Sequence, residues 1–191
     1  MEQAQARPMI LAVQGGDREV IQTLLAEAAR RLAASGARVL GVIEHMPPGI
    51  GHDEVMLVDL ASGALHRLHQ DLGPGAAGCS LDPAGLAAAS GGVEQAICDL
   101  VQTGRDVCDT VVILSKFGRQ EAEGRGLTGA FHAAVAADIA VLTSVSPTVR
   151  TQWADFAGDL AMIAPATLDA VDSWWTHPAL AGAEEKAAAP A

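Results

Sequence analysis

The sequence predicts an α/β fold: a mostly parallel sheet of about five strands between helices, with a small antiparallel hairpin inserted after the second strand. Three observations carry this. Short β-branched and apolar runs recur, at MILAVQ (9–14), RVLGVIEH (38–45), VVILS (111–115) and IAVLTSV (139–145). They read as strands buried on both faces, as in a parallel sheet. Segments with helical apolar spacing separate them. Only 3% of residues are aromatic and none is tyrosine, so the core rests on Ala, Val, Leu and Ile.

Taken in order, the first strand ends at Gly15-Gly16. Asp17 is a helix N-cap, and Val20, Ile21, Leu24, Leu25, Ala28 and Leu32 form one buried face. Ser35 and Gly36 close that helix, and 38–45 is the second strand. Strand, glycine turn, helix, strand is the opening of a βαβ unit. The segment 46–53 (MPPGIGHD) is irregular. Residues 54–60 and 64–70 form the hairpin, turning at Ser62-Gly63. His66 and His69 stand three apart on its second arm, facing opposite ways and poorly placed to share a metal. A glycine-rich loop, 72–80, carries Cys79. This thiol lies just ahead of a helix start but lacks an identifiable base partner for a nucleophile.

Asp82-Pro83 opens a helix running to about Thr103, interrupted at Ser90-Gly91-Gly92, with Cys98 in the core beside Ile97 and Val101. After the 111–115 strand comes a charged, glycine-punctuated loop. A helix follows over 126–137, carrying His132. Past the 139–145 strand, Ser146-Pro147 turns the chain, Trp153 and Phe156 mark a short helix, 160–164 is an edge strand, and 168–175 is a last helix whose Trp174 and Trp175 cover the sheet. We expect one domain over 1–180 and a disordered tail over 181–191.

The charge balance is 12 basic against 23 acidic residues, a net −11, which argues against nucleic acid as a partner. Three cysteines without C-x-x-C spacing read as reduced thiols in a cytoplasmic protein. No apolar run is long enough to span a membrane, and the N-terminus lacks a secretory signal. A homodimer is compatible with the sequence.

The chemistry concentrates in SKFGRQEAEGRG, 115–126. Lys116, Arg119, Glu121, Glu123 and Arg125 alternate with Gly118, Gly124 and Gly126 at the carboxyl end of a central strand, where open α/β sheets bind ligands. Glu121 and Glu123 have the types for general acid and base, but ion pairs with the neighbouring arginines are the expected state. At the first turn, Gly15 and Gly16 have the architecture of a phosphate loop without its lysine and hydroxyl residue. Asp17 and Glu19 stand there instead and oppose a triphosphate. No catalytic or metal set is assigned.

Taken together, LAVQGG, CSLDPAGLA, SKFGRQEAEGRGL, VLTSV, W-x-x-F and Trp174-Trp175 resemble one bacterial family, domain of unknown function 2478, described as NTPase-like. The similarity spans about Pro8 to Trp175, and K-F-G-x-x-E-x-x-G-x-G is its most specific part. Such families are related to P-loop nucleotidases of the THEP type, and members are often encoded beside molybdate-transport genes. The resemblance implies a P-loop-NTPase-like three-layer domain and a link to molybdenum handling. In the related nucleotidases the strand equivalent to 111–115 ends in acidic residues that organise Mg²⁺; here Ser115, Lys116, Phe117 and Gly118 stand there.

A site that loses its metal-binding acid and gains a lysine suits a bare anion. The expected function is therefore a non-hydrolytic, cytosolic binder of a molybdate- or tungstate-like oxyanion or of a phosphate-bearing ligand. Its expected site is Gly15, Gly16, Lys116, Gly118, Arg119, Glu121, Glu123, Gly124, Arg125 and Gly126. The alternatives are a divergent nucleoside triphosphatase using a Mg-nucleotide and a ligand-free regulatory or scaffold protein.

Overall fold

The computed structural model describes residues 8–45, 55–69 and 81–177. The expected loop at 46–53, the Cys79 loop and the 181–191 tail lie outside these residues. A seven-stranded sheet forms the middle layer, in the order β4-β3-β2-β5-β6-β1-β7. β1 (Ile10–Gln14), β2 (Arg38–His45), β5 (Thr110–Phe117), β6 (Ala140–Val145) and β7 (Ala161–Pro165) run parallel. The hairpin β3 (Met56–Asp59) and β4 (Leu65–Arg67) joins the same sheet antiparallel to β2.

Helices cover both faces. α1 (Arg18–Ala34) packs Ile21, Leu24, Leu25, Ala28 and Leu32 on one face, joined there by Val171 and Trp174 of α6 (Leu168–Thr176). Trp175 packs against the same cluster, so the tryptophan pair covers the sheet. Trp174 also donates its indole N–H to the Pro8 carbonyl at 2.8 Å. On the other face, α2 (Pro83–Gln102), α4 (Thr128–Ala136) and α5 (Arg150–Ala157) bury Leu86, Val93, Ile97, Phe131 and Trp153. Phe117, Phe131, Trp153 and Phe156 make an aromatic cluster there, with ring centroids 5.0–6.3 Å apart.

Four expectations need correction. Val20 is 51% exposed, because the buried stripe of α1 runs through Ile21, Gln22, Leu24 and Leu25. α2 is continuous through Ser90-Gly91-Gly92. Two mid-helix glycines cost about 1 kcal/mol each, and packing against α4 offsets this. Ser90 Oγ donates to Glu94 Oε1 at 2.8 Å and accepts from Ala130 N at 3.3 Å. Cys98 is exposed and not core, since the buried positions of α2 are Leu86, Ala89, Ser90, Val93, Ile97 and Leu100; Val101 is exposed with it. The central strand runs to Phe117, so Lys116 lies on β5, next to a register shift against β6 between Leu114 and Phe117. The loop beyond it contains a short helix, α3 (Arg119–Ala122).

The connectivity reverses between two neighbouring strands. β1 and β6 are neighbours, but the chain leaves β1 into α1 on one face and β6 into α5 on the other. Ligand crevices open outside the carboxyl ends of strands at such a reversal.

Candidate functional site

The carboxyl edge brings together the ends of β1, β2, β5 and β6. After β1 the chain turns at Gly15, whose φ of +102° lies where L side chains are strained; nothing stands within 4 Å of where its Cβ would be. Asp17 caps α1 by accepting from Val20 N at 2.9 Å, so one of the free N–H groups of the helix start is already used.

The next turn of α1 latches the strand ends. Gln22 is 5% exposed. Its amide donates to the Ser115 carbonyl at 3.1 Å and accepts from Glu44 N at 2.9 Å, tying β5 to β2. Ser144 of β6 donates to the same Ser115 carbonyl at 2.9 Å. One turn earlier, Arg18 Nε donates to Glu44 Oε2. From β5, Lys116 Nζ stands 2.9 Å from Glu44 Oε1. The guanidinium and the ammonium thus each cover one oxygen of the carboxylate.

The Glu44 side chain is only 1% exposed, whereas those of Arg18 and Lys116 are 34% and 45% exposed. Burial pushes the Glu44 carboxyl up, but Lys116 and Arg18 together outweigh it and hold the group below its usual range. A further cation arrives from α5: Arg150 Nη2 donates to Gln14 Oε1 at 2.6 Å, beside the glycine turn. Gln14 Nε2 is buried without a hydrogen-bond partner among the described residues.

The glycine-punctuated loop is built differently from the expected anion cradle. Glu121 is 6% exposed and forms no ion pair with an arginine. Its carboxylate accepts from Gly118 N at 2.9 Å and Leu127 N at 3.0 Å, bracing the loop from inside. Gly126, at φ +62°, passes so close that a Cβ would lie 2.2 Å from Glu121 Oε1. Glu123 pairs with Arg125 in solvent, as expected, and Arg125 also donates to Gln120 Oε1 at 3.2 Å. Arg119 and Gly124 are exposed. Lys116 is tied to Glu44, and through it to Arg18 beyond Gly15 and Gly16.

Arg18, Gln22, Glu44, Ser144 and Arg150 were not among the expected site residues. Glu44 carried the same signal that marked Lys116, a charge at the carboxyl end of an apolar strand. Arg150 carried none, because only the fold brings α5 over β1.

The donor set can be matched against the two ligand types. The buried acid Glu44 at the end of β2 is already covered by two cations, which repel Mg²⁺, so it does not fit the role of a Mg²⁺-holding carboxylate. The two cations are half-exposed, hold unused N–H donors, and fit a tetrahedral oxyanion or phosphate group.

The architecture, a three-layer sandwich with this glycine turn at its edge, is a P-loop-NTPase-like fold. It superposes on the crystal structure of THEP1 from the hyperthermophile Aquifex aeolicus with a TM-score of 0.54 over 87% of this chain and 94% of that one, at 14% identity. The chain belongs to the family described as "Protein of unknown function (DUF2478)", whose model matches residues 10–174. It is also 35% identical over 157 residues to the molybdenum import ATP-binding protein ModC 2 of Bradyrhizobium diazoefficiens; the match covers 81% of this chain and 17% of that relative. The chain thus spans about a sixth of the length of that protein. Among the described residues, no helix is long and apolar enough to cross a membrane.

Proposed function

We propose that this protein binds a tetrahedral oxyanion or a phosphate-bearing ligand at the carboxyl edge of its sheet, without hydrolysing it, in the service of molybdenum import. The carrying observation is the pair Arg18 and Lys116, half-exposed and anchored on buried Glu44, with Arg18 opening α1 just past Gly15 and Gly16. An anchored cation loses less freedom on binding than a free surface one, and here two of them flank one carboxylate. Arg150 adds positive charge from the β1 side. Arg119 and Arg125 form the outer part of the site and draw the ligand toward the edge, against the net charge of −11. Molybdate and tungstate are the favoured ligands because the ModC 2 relative is a molybdenum import protein.

Thermal shift with molybdate, tungstate, sulfate, phosphate, ATP and GTP tests this. A ligand specific for the folded state stabilises it by about 2.7 kcal/mol at a hundredfold excess over its Kd. At least one anion is expected to raise the Tm, Arg18→Ala with Lys116→Ala to remove the shift, and Arg30→Glu, on the exposed side of α1, to leave it. Mg²⁺-dependent phosphate release at about one per second or faster would instead establish a competent triphosphatase. No shift with any anion at millimolar concentration would favour the ligand-free scaffold.

A further inference from the structure

Arg18 and Lys116 each have two tasks. They neutralise Glu44, and they keep about a third to a half of their side chains in solvent. Glu44, 1% exposed, has almost no water of its own, so its charge depends on them. An anion lodged against the same two groups draws on the same positive charge and adds negative charge next to a buried carboxylate. We infer that Glu44 makes anion binding at this edge proton-coupled: when a ligand anion engages Arg18 and Lys116, the complex takes up one proton that neither the free protein nor the free ligand carried. This rests on the anion site proposed above.

The chemistry is a simple protonation. Glu44 carboxylate, anion and the protonated buffer give the complex with Glu44 as the neutral acid and the buffer base; one O–H bond forms on Glu44 as one N–H or O–H bond of the buffer acid breaks. Among the described residues, the charged groups in contact with this carboxyl are Arg18 and Lys116, while Asp17 is engaged by Val20 N and Asp59 of β3 by Ala61 and Ser62. α1 presents Arg18 and β5 presents Lys116. β3 lays Leu57 alongside in the ladder, and on α2 Glu94 is bonded to Ser90 and Asp99 to Gln95. His45, next on β2, is exposed.

The sign follows from the same balance. Burial alone favours the neutral acid and the two cations oppose it, with a net downward shift in the free protein. An anion weakens the opposing contribution, so the carboxyl moves up on binding. The complex then holds the proton at pH values where the free protein has lost it. Affinity therefore rises as pH falls toward the carboxylate range and declines as pH rises.

Sulfate is the decisive probe because it carries no proton across this range. Titration calorimetry in two buffers of different ionisation heat counts the protons exchanged. Wild type is expected to take up protons with sulfate near pH 5, less near pH 7, and to bind sulfate more weakly at the higher pH. Glu44→Gln should abolish the uptake, flatten the pH profile and bind more tightly than wild type near pH 7. Sulfate binding without proton uptake would overturn the inference and leave the anion site standing. Uptake that persists in Glu44→Gln would assign it to another group, His45 first, and overturn it equally. If the variant does not fold, the wild-type proton count decides alone. If wild type binds no sulfate, phosphate or tungstate, the site itself fails and the inference with it.

Discussion

Glu44 and Glu121 are both buried glutamates within reach of the carboxyl edge, and their partners set them apart. Glu121 accepts two backbone N–H groups, from Gly118 and Leu127, neither of which can leave without unfolding the loop. Glu44 is held by Arg18 and Lys116, whose half-exposed ends can turn to a ligand. The first arrangement is architecture and the second is available for binding. Glu121→Ala strands two buried donors, each costing roughly 1–3 kcal/mol. Urea unfolding should show a loss of about 3 kcal/mol, with the anion-induced shift of the surviving folded protein retained at lower temperature. The sequence showed the charges of this region but not this division of roles. Glu121 lies between two arginines in sequence, so pairing with them was the natural expectation. What decides its partner is the tight return of the chain at Gly126, a three-dimensional fact.

At the scale of elements, local signals carried the fold well. Asp17 and Asp82 cap their helices as their side chains and spacing predict, and Asp82 Oδ1 accepts from Ala84 N at 3.0 Å. Asp82→Ala should therefore lower stability by about 1 kcal/mol in thermal or urea unfolding and leave anion affinity unchanged. Loss of affinity at constant stability would instead put Asp82 in the site. The strand at 38–45 and the last helix were legible because apolar period and flanking breakers are local. Signals failed where two elements meet. Ser90-Gly91-Gly92 looks like a break in isolation, yet α4 crosses there, and a Cβ on Gly129 would lie 2.3 Å from Glu94 Oε1. Helix packing thus explains Gly129 and Ser90; Gly91 and Gly92 face away from α4, with nothing of α4 within 4 Å of where their Cβ atoms would be. Cys98 was placed in the core because its neighbours are apolar; α2 turns Cys98 and Val101 outward together.

For the whole molecule, strand order is what no local pattern encodes. β1 and β6 lie side by side although about 125 residues separate them in the chain, counted between Gln14 and Ala140. That pairing brings Arg150 to Gln14, and the β2–β5 pairing brings Glu44 to Lys116. The sequence placed a ligand site at the end of β5 but centred it on the loop that follows. The fold adds a centre across three strand ends, with α1 closing over it through Arg18 and Gln22. The central claim is that this edge, anchored on Glu44, is where an anion binds. Anomalous diffraction from crystals soaked in tungstate tests it most directly, because tungsten marks the anion itself. The expected result is a peak whose oxygens lie about 3 Å from the Arg18 guanidinium and the Lys116 ammonium, lost in Lys116→Ala. A peak confined to Arg119 and Arg125, or no peak in crystals whose protein is shown by thermal shift to bind tungstate at that concentration, would contradict it.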